Sequence, residues 1–174
     1  MTRARTLVAF VLALAACSDG KRTVSTSSHF QATTAQAVAV ELTGAAQFWC
    51  VDRPLKMCAM HLLPEGQDGD SINFTITGST RPRVGTYAIQ PEMDPAGEAF
   101  RVNYISGKKG GHQSFVAKSG TVVITESAPT HVTGTFELEG LAVDLVGGVY
   151  PLVSVRGSFR SECELHFRQA YTCD

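Results

Sequence analysis

Apolar and polar residues alternate with a period of two in three segments of the chain: Ser71–Thr77, His131–Glu139 and Val153–Arg168. In the first segment Ile72, Phe74 and Ile76 fall on one face, and hydroxyl and amide residues fall on the other. A period of two is that of a β-strand with one buried face and one face in water. Because sheets with one wet face are typically antiparallel, the pattern predicts antiparallel β structure.

Weaker strand candidates lie between these segments: Ala37–Thr43, Ala46–Val51, Met57–Leu63, Val84–Gln90, Ala99–Ser106, Gln113–Ala117 and Gly120–Glu126. Turn-forming runs rich in Gly, Pro and Asp separate them. No window combines helical periodicity with capping residues, and Leu141–Pro151 is consistent with either a loop or an edge strand. The sequence predicts an all-β fold, an antiparallel β-sandwich or a closed β-barrel of about nine or ten strands with little helix.

The first seventeen residues have the features of an export signal. Arg3 and Arg5 precede the apolar run Leu7–Ala16, which is shorter than the roughly 20 residues of a membrane-spanning helix but fits a secretory signal. The run ends in Leu-Ala-Ala before Cys17, and this segment resembles the lipobox of bacterial lipoproteins. The resemblance implies cleavage before Cys17 and acylation of that cysteine. The alternative is an ordinary secretory signal followed by a coincidental cysteine.

This leader divides the chain into three predicted parts: a lipoprotein signal peptide (1–16), the lipidated Cys17 with a Ser/Thr-rich flexible tether (17–34), and one β-domain (35–174). A length of 174 residues suits a single folded domain. Acyl chains anchor a protein to a membrane without a spanning helix. We therefore expect an exported, lipid-anchored envelope protein. Ser18 follows the cysteine where Asp would retain the protein at the inner membrane, so the resemblance favours the outer membrane.

The charge balance argues against nucleic acid as a partner. The chain has 15 Lys and Arg against 16 Asp and Glu, a formal net charge of −1. Nucleic-acid-binding domains show a clustered basic excess, which is absent from this sequence.

Four further cysteines, Cys50, Cys58, Cys163 and Cys173, are an even number in a chain expected to be exported, which predicts two disulfides. Three pairings are possible. The turn-forming residues between Cys50 and Cys58 favour local pairing, although bridges between the N-terminal hairpin and the last strand stay open. Cys58 and His61 also have Cys-x-x-His spacing, but the other cysteines are poorly placed for a structural zinc site.

A short element of Gly, a hydroxyl residue and a large apolar residue occurs four times: Gly85-Thr86-Tyr87, Gly120-Thr121-Val122, Gly134-Thr135-Phe136 and Gly157-Ser158-Phe159. We interpret its glycines as positions of a bulge or a close backbone approach. The order GTY, SGTVVIT, VTGTFEL and VSVRGSF resembles a widespread class of uncharacterised bacterial envelope lipoproteins, which carry one β-rich domain behind a lipobox. The resemblance implies an architecture and carries no activity with it.

Candidate chemistry is sparse. The sequence lacks the motifs of serine hydrolases, zinc proteases, P-loop enzymes and dinucleotide-binding enzymes. Ser106-x-x-Lys109 and Lys118-Ser119-Gly120 match motifs of penicillin-binding enzymes but lie too close together for that fold. Asp68 and Asp70 are interpreted as a solvated turn, and the histidines as scattered surface residues. We predict no catalytic, cofactor-binding or metal-binding residues.

Two functions are consistent with these observations. The first is a non-enzymatic, lipid-anchored envelope module with a structural role or an envelope protein as its partner. The second is a carrier that holds a small apolar ligand inside a β-barrel. The two differ in the barrel interior, which is filled in the first case and hollow in the second.

Overall fold

The computed structural model describes residues 28–35, 40–52, 56–65, 71–105, 113–144, 149–163 and 171–173. Within these ranges every regular element is a β-strand. The ten strands are β1 (His29–Ala35), β2 (Val40–Val51), β3 (Met57–Pro64), β4 (Ser71–Thr77), β5 (Gly85–Gln90), β6 (Ala99–Ile105), β7 (Gln113–Ala128), β8 (His131–Asp144), β9 (Val149–Cys163) and β10 (Tyr171–Thr172).

Nine of these strands close into a barrel, in the order β1-β9-β8-β7-β5-β6-β4-β3-β2, and pairing of β1 with β2 closes the ring. The short β10 pairs with the end of β2. The barrel confirms the prediction of an all-β fold and selects one of its two architectures. It is mixed rather than wholly antiparallel, because β5 runs parallel to β6 and β2 runs parallel to β9.

Each pair of parallel strands shares one neighbouring strand that is antiparallel to both members of the pair. β1 pairs antiparallel with both β2 and β9, so those two strands run in the same direction. Next to the start of β1, at its His29 end, β2 and β9 pair directly, with Gln47 opposite Glu162. Likewise β5 and β6 are both antiparallel to β7 and therefore parallel to each other.

The first strand corrects the predicted boundary between tether and domain. β1 begins at His29, six residues before the predicted start of the domain at Ala35. Just ahead of the strand, the Ala46 N–H donates a 3.0 Å hydrogen bond to Ser28 Oγ, which donates in turn to the Ala46 carbonyl oxygen. The pattern hides this strand because Ala32, buried at 1% exposure, is too small to stand out among polar neighbours.

Some predicted short strands are parts of longer ones. β2 joins the segments predicted as Ala37–Thr43 and Ala46–Val51, and β7 joins Gln113–Ala117 to Gly120–Glu126. A register shift at Ala117/Ser119 explains the split in β7, because it moves the period of two by one residue, and a second shift follows at Ile124/Glu126. The segment Leu141–Pro151, for which the sequence allows a loop or an edge strand, contains the end of β8 and the start of β9. Residues 145–148 lie outside the described residues.

Aromatic side chains pack against one another in the interior of the described barrel. Phe74 is fully buried, and its ring centroid lies 5.0 Å from that of Phe136, 6.2 Å from Phe159 and 6.4 Å from Phe100. Buried aliphatic side chains surround this cluster, among them Met60, Leu62, Val102, Val122, Ile124 and Leu138. Burial of so many apolar groups is the main source of stability for a fold of this kind.

Two glycines and two phenylalanines pair reciprocally where β8 meets β9. Gly134 lies opposite Phe159, and Gly157 lies opposite Phe136. A Cβ at Gly134 would lie 2.9 Å from Phe159 Cζ, and a Cβ at Gly157 would lie 2.8 Å from Phe136 Cζ. Each ring therefore occupies the space that a side chain on the opposite strand would need. This is the close approach that the repeated Gly-hydroxyl-apolar element predicts, and two copies of the element are paired with each other.

One end of the barrel is fastened by both disulfides. Cys50 and Cys58 face each other on β2 and β3, and Cys163 at the end of β9 is bonded to Cys173 beyond β10. This is the local arrangement among the three possible pairings. The connection 78–84 crosses the same end, since Arg81 donates to the Cys173 carbonyl oxygen (3.1 Å) and Ser127 Oγ donates to the Pro82 carbonyl oxygen (2.7 Å).

We expect Gly157→Ala and Gly134→Ala each to lower the free energy of unfolding by at least about 2 kcal/mol, because the added methyl group displaces a buried ring and meets backbone. Gly85→Ala is the matched control: its Cβ would meet Tyr87 Cε2 at an ordinary 3.8 Å, so a change within about 0.5 kcal/mol is expected. Urea unfolding of the three variants measures the difference. Equal losses in all three would contradict the reciprocal packing.

Candidate functional site

Several residues singled out from the sequence lie outside the described residues. They are Cys17, Asp68 and Asp70, and the Ser106–Lys109 segment. Lys118 and Ser119 are described, on an exposed part of β7. The Cys-x-x-His spacing brings no metal ligands together, because Cys58 is buried in a disulfide among the core residues while His61 has the opposite strand parity.

Two further observations concern the described ranges as a whole. They contain no cluster of three or more His, Cys, Asp or Glu side chains arranged to hold a metal ion. They also contain no helix of sufficient length and apolarity to cross a bilayer.

A polar groove lies on the outer face of four neighbouring strands, β1, β9, β8 and β7, and has a volume of about 630 Å³. Its lining consists of two rows of outward-facing side chains that follow the strand register. One row is Thr33, Arg156, Glu137 and Thr121, and the other is Gln31, Ser158, Thr135 and Val123. Each row takes one residue from each strand.

The floor between the two rows is formed at the paired residues Gly157 and Phe136, which also belong to the lining. Phe136 is only 3% exposed and its ring packs inside the barrel, so it contributes from beneath the outer side chains. Strands lie about 4.8 Å apart and alternate residues about 7 Å apart, so the groove is about 14 Å long across the strands and about 7 Å wide.

The polar side chains of this outer groove are not engaged with the rest of the described protein. Glu137 and Arg156 lie opposite each other in the register, yet among the described residues they form neither an ion pair nor a hydrogen bond. The hydroxyl groups of Thr33, Thr121, Thr135 and Ser158 and the amide of Gln31 are likewise without a hydrogen-bond partner in the described ranges. The groove therefore offers donors and acceptors that are already exposed to solvent.

Unlike Glu137 and Arg156 inside the groove, the charged side chains next to it interact with one another. Glu126 lies 2.9 Å from His131 Nε2 and 3.8 Å from Arg160, so these three side chains form one cluster. Arg160 is on the same strand and face as Arg156, two outward positions away. Among the described residues, the charged side chains of this face therefore interact beside the groove, at Glu126, His131 and Arg160, whereas Glu137 and Arg156 at its centre do not pair.

A second feature is a half-buried histidine on the outer face of β3. The ring of His61 packs edge-on against Trp49, with ring centroids 4.2 Å apart. Burial lowers the pKa of His61 from 6.5 to about 4. The sequence analysis places His61 among the surface residues; in the structure it lies on the outer face of β3 and is half-buried. The Trp49 and His61 rings lie on the face opposite the buried Cys50–Cys58 bridge.

Sequence reasoning did not find the outer groove. Its residues belong to the outward parity of four strands, and any one strand shows only ordinary polar alternation. The available signal was the repeated Gly-hydroxyl-apolar element, because pairing the copies at Gly134 and Gly157 places Thr135 opposite Ser158.

Comparison with known proteins adds no likeness: the chain matches no protein-family model, no curated protein and no solved structure.

Acid should destabilise the fold partly through His61. In the unfolded chain its pKa is close to 6.5, so between that pH and about 4 the unfolded state binds a proton that the folded state does not. The resulting loss of stability grows as the pH falls through this window and stops growing below about 4.

We expect His61→Gln to remove about 1–3 kcal/mol of the stability loss between about pH 7 and about pH 4. The measurement is the free energy of urea unfolding at both pH values, taken as a difference for each protein. Thr86→Ala, a change at an exposed position without a titratable side chain, serves as control and should leave the loss unchanged. An identical acid loss in wild type and His61→Gln would show that His61 carries no such effect.

Proposed function

We propose that the chain is a non-enzymatic module of the bacterial envelope, held at a membrane by lipid on Cys17, which binds a partner in the outer groove. The observation that carries this proposal is the distribution of polar groups in the described barrel. Its described core consists almost entirely of apolar side chains, with a packed cluster of phenylalanines among them, whereas seven polar side chains without partners among the described residues line one groove on the outside. An apolar core packed in this way, together with a polar site on the outside, supports a module with an external site over a carrier.

The membrane anchor is supported by the sequence at the N-terminus, where Leu-Ala-Ala-Cys17 follows a ten-residue apolar run. Residues 18–28, eleven in number, separate Cys17 from β1. Eleven residues reach at most about 40 Å when fully extended. The groove begins on β1 itself, at Gln31 and Thr33, so the anchor would hold it close to the membrane surface.

The composition of the groove supports binding rather than catalysis. Its titratable groups are one carboxylate, Glu137, and one guanidinium, Arg156. General acid–base chemistry commonly uses two groups with separated pKa values or a histidine, and nucleophilic catalysis uses an activated nucleophile beside a base. The lining provides neither arrangement. Open, solvated side chains are suited to recognition of a partner surface.

The anchor is tested by inhibiting the lipoprotein signal peptidase in cells that express the full chain. We expect the uncleaved precursor to accumulate, and Cys17→Ser to abolish acylation while leaving the barrel folded. Metabolic labelling with a fatty acid analogue reports the acylation directly. An unchanged mature band under inhibition, together with label-free wild-type protein, would refute lipidation at Cys17.

Binding in the groove is tested by photocrosslinking in intact cells, with a photoreactive amino acid at Thr135 in the full chain. We expect a discrete high-molecular-weight adduct from this position, and a weaker adduct when Glu137→Gln and Arg156→Gln are combined with it. Thr86, an exposed residue on β5 outside the groove, is the control position. The same adducts from Thr86 and Thr135, or none from either, would contradict a partner site in the groove.

A further inference from the structure

We infer that the outer groove takes a neutral, polyhydroxylated ligand, an oligosaccharide chain that lies across the four strands. This inference rests on the proposed function insofar as both assign binding to the same groove. It adds the chemical class of the ligand, which follows from the kinds of side chain present, their net charge and the direction of the groove.

The lining matches the hydrogen-bonding character of sugar hydroxyls. The hydroxyls of Thr33, Thr121, Thr135 and Ser158 each donate and accept, and the amide of Gln31 does both as well. Sugar hydroxyls have the same dual capacity, so each can pair with any of these groups. Val123 is the one aliphatic side chain among the outward residues of the two rows, so a purely apolar ligand would leave the polar groups unpaired.

The centre of the groove carries one positive and one negative side chain, so its net charge is zero. One of them can donate two parallel hydrogen bonds and the other can accept two. Arg156 presents a planar fork of donors, and Glu137 opposite presents two acceptor oxygens. A pair of neighbouring sugar hydroxyls can receive two hydrogen bonds from Arg156 or give two to Glu137. The attraction of an anion to Arg156 is offset by its repulsion from Glu137, and the reverse holds for a cation, so the pair favours simple ions of neither sign.

An extended peptide fits this face less well than a saccharide chain does. Strand addition requires an unpaired edge, whereas β1, β9, β8 and β7 are each paired on both sides over the described residues that line the groove. The groove runs across the strands, about 14 Å in length, and its two rows repeat at the strand spacing. A linear chain of similar units, each with hydroxyls on both sides, can contact both rows along that length.

The test is a titration of the full-length chain, purified in detergent, with maltohexaose and with chitohexaose, followed by ligand-observed saturation-transfer NMR and by calorimetry. We expect at least one saccharide to bind with a dissociation constant between about 10 µM and a few mM, as a shallow polar site allows. We expect Glu137→Gln and Arg156→Gln each to weaken that binding at least fivefold. Hexa-alanine is the peptide probe and should give no transfer.

Glu139→Gln is the matched control for Glu137→Gln, since Glu139 is the next outward residue on β8 and is exposed but outside the groove lining. Arg160→Gln serves in the same way for Arg156→Gln. Neither control should change saccharide affinity by more than about twofold. Unfolding midpoints of all four variants confirm that the barrel is intact.

The inference is overturned if neither saccharide binds at about 10 mM, if hexa-alanine binds equally well, or if the controls weaken binding as much as the groove variants. Loss of the saccharide result alone, with a groove-specific adduct at Thr135 still present, would reject the ligand class and leave the proposed partner site standing. Loss of both would reject the groove as a binding site.

Discussion

The reciprocal packing of Phe136 over Gly157 and of Phe159 over Gly134 is the constraint on which the outer face of this barrel depends. The two rings can lie against the opposite strand only because both facing positions lack a side chain. This fixes the register of β8 against β9, since a shift of either strand by one residue would turn the ring that it carries to the solvent and remove the glycine from opposite the other ring. With the register fixed, Thr135 lies opposite Ser158 and Glu137 lies opposite Arg156, and these are the central positions of the two groove rows.

Closure of the ring depends on β1, which fills the gap between β2 and β9. The strand is short, and its only fully buried side chain among those described is Ala32, so its own hydrophobic contribution is small. Its stability comes from backbone hydrogen bonds to two neighbours and from the Ser28–Ala46 contacts at its start. The same strand provides Gln31 and Thr33 to the groove, so the strand that closes the ring also completes the site.

How much of the fold could be predicted from the sequence depended on the size of the buried side chains in each strand and on whether a feature lies within one strand or between several. The period of two located β4 to the residue and gave the inward phase of β9 through Val155, Phe159 and Ser161, because large side chains or long runs make the alternation visible. The sequence did not predict β1, because its buried residue is an alanine, and alanine is a weak marker of burial. The groove escaped because it is a property of register between four strands, and long-range register is not encoded in any single segment. Local disulfide pairing was favoured correctly over its alternatives, since each bridge joins residues only 8 or 10 positions apart.

Strand alternation also separates the two roles of the paired glycine motifs. In Gly134-Thr135-Phe136-Glu137 the first and third residues face the core, while the second and fourth face the groove. Substitution of an outward residue changes hydrogen-bonding groups that are already solvated, at a cost usually within about 0.5 kcal/mol of stability. Substitution of an inward residue displaces a ring from the aromatic cluster and moves the strand that carries the outward residues. The ligand preference of the groove can therefore change by outward substitutions on a constant scaffold, whereas the position of the groove cannot change without rebuilding the core beneath it.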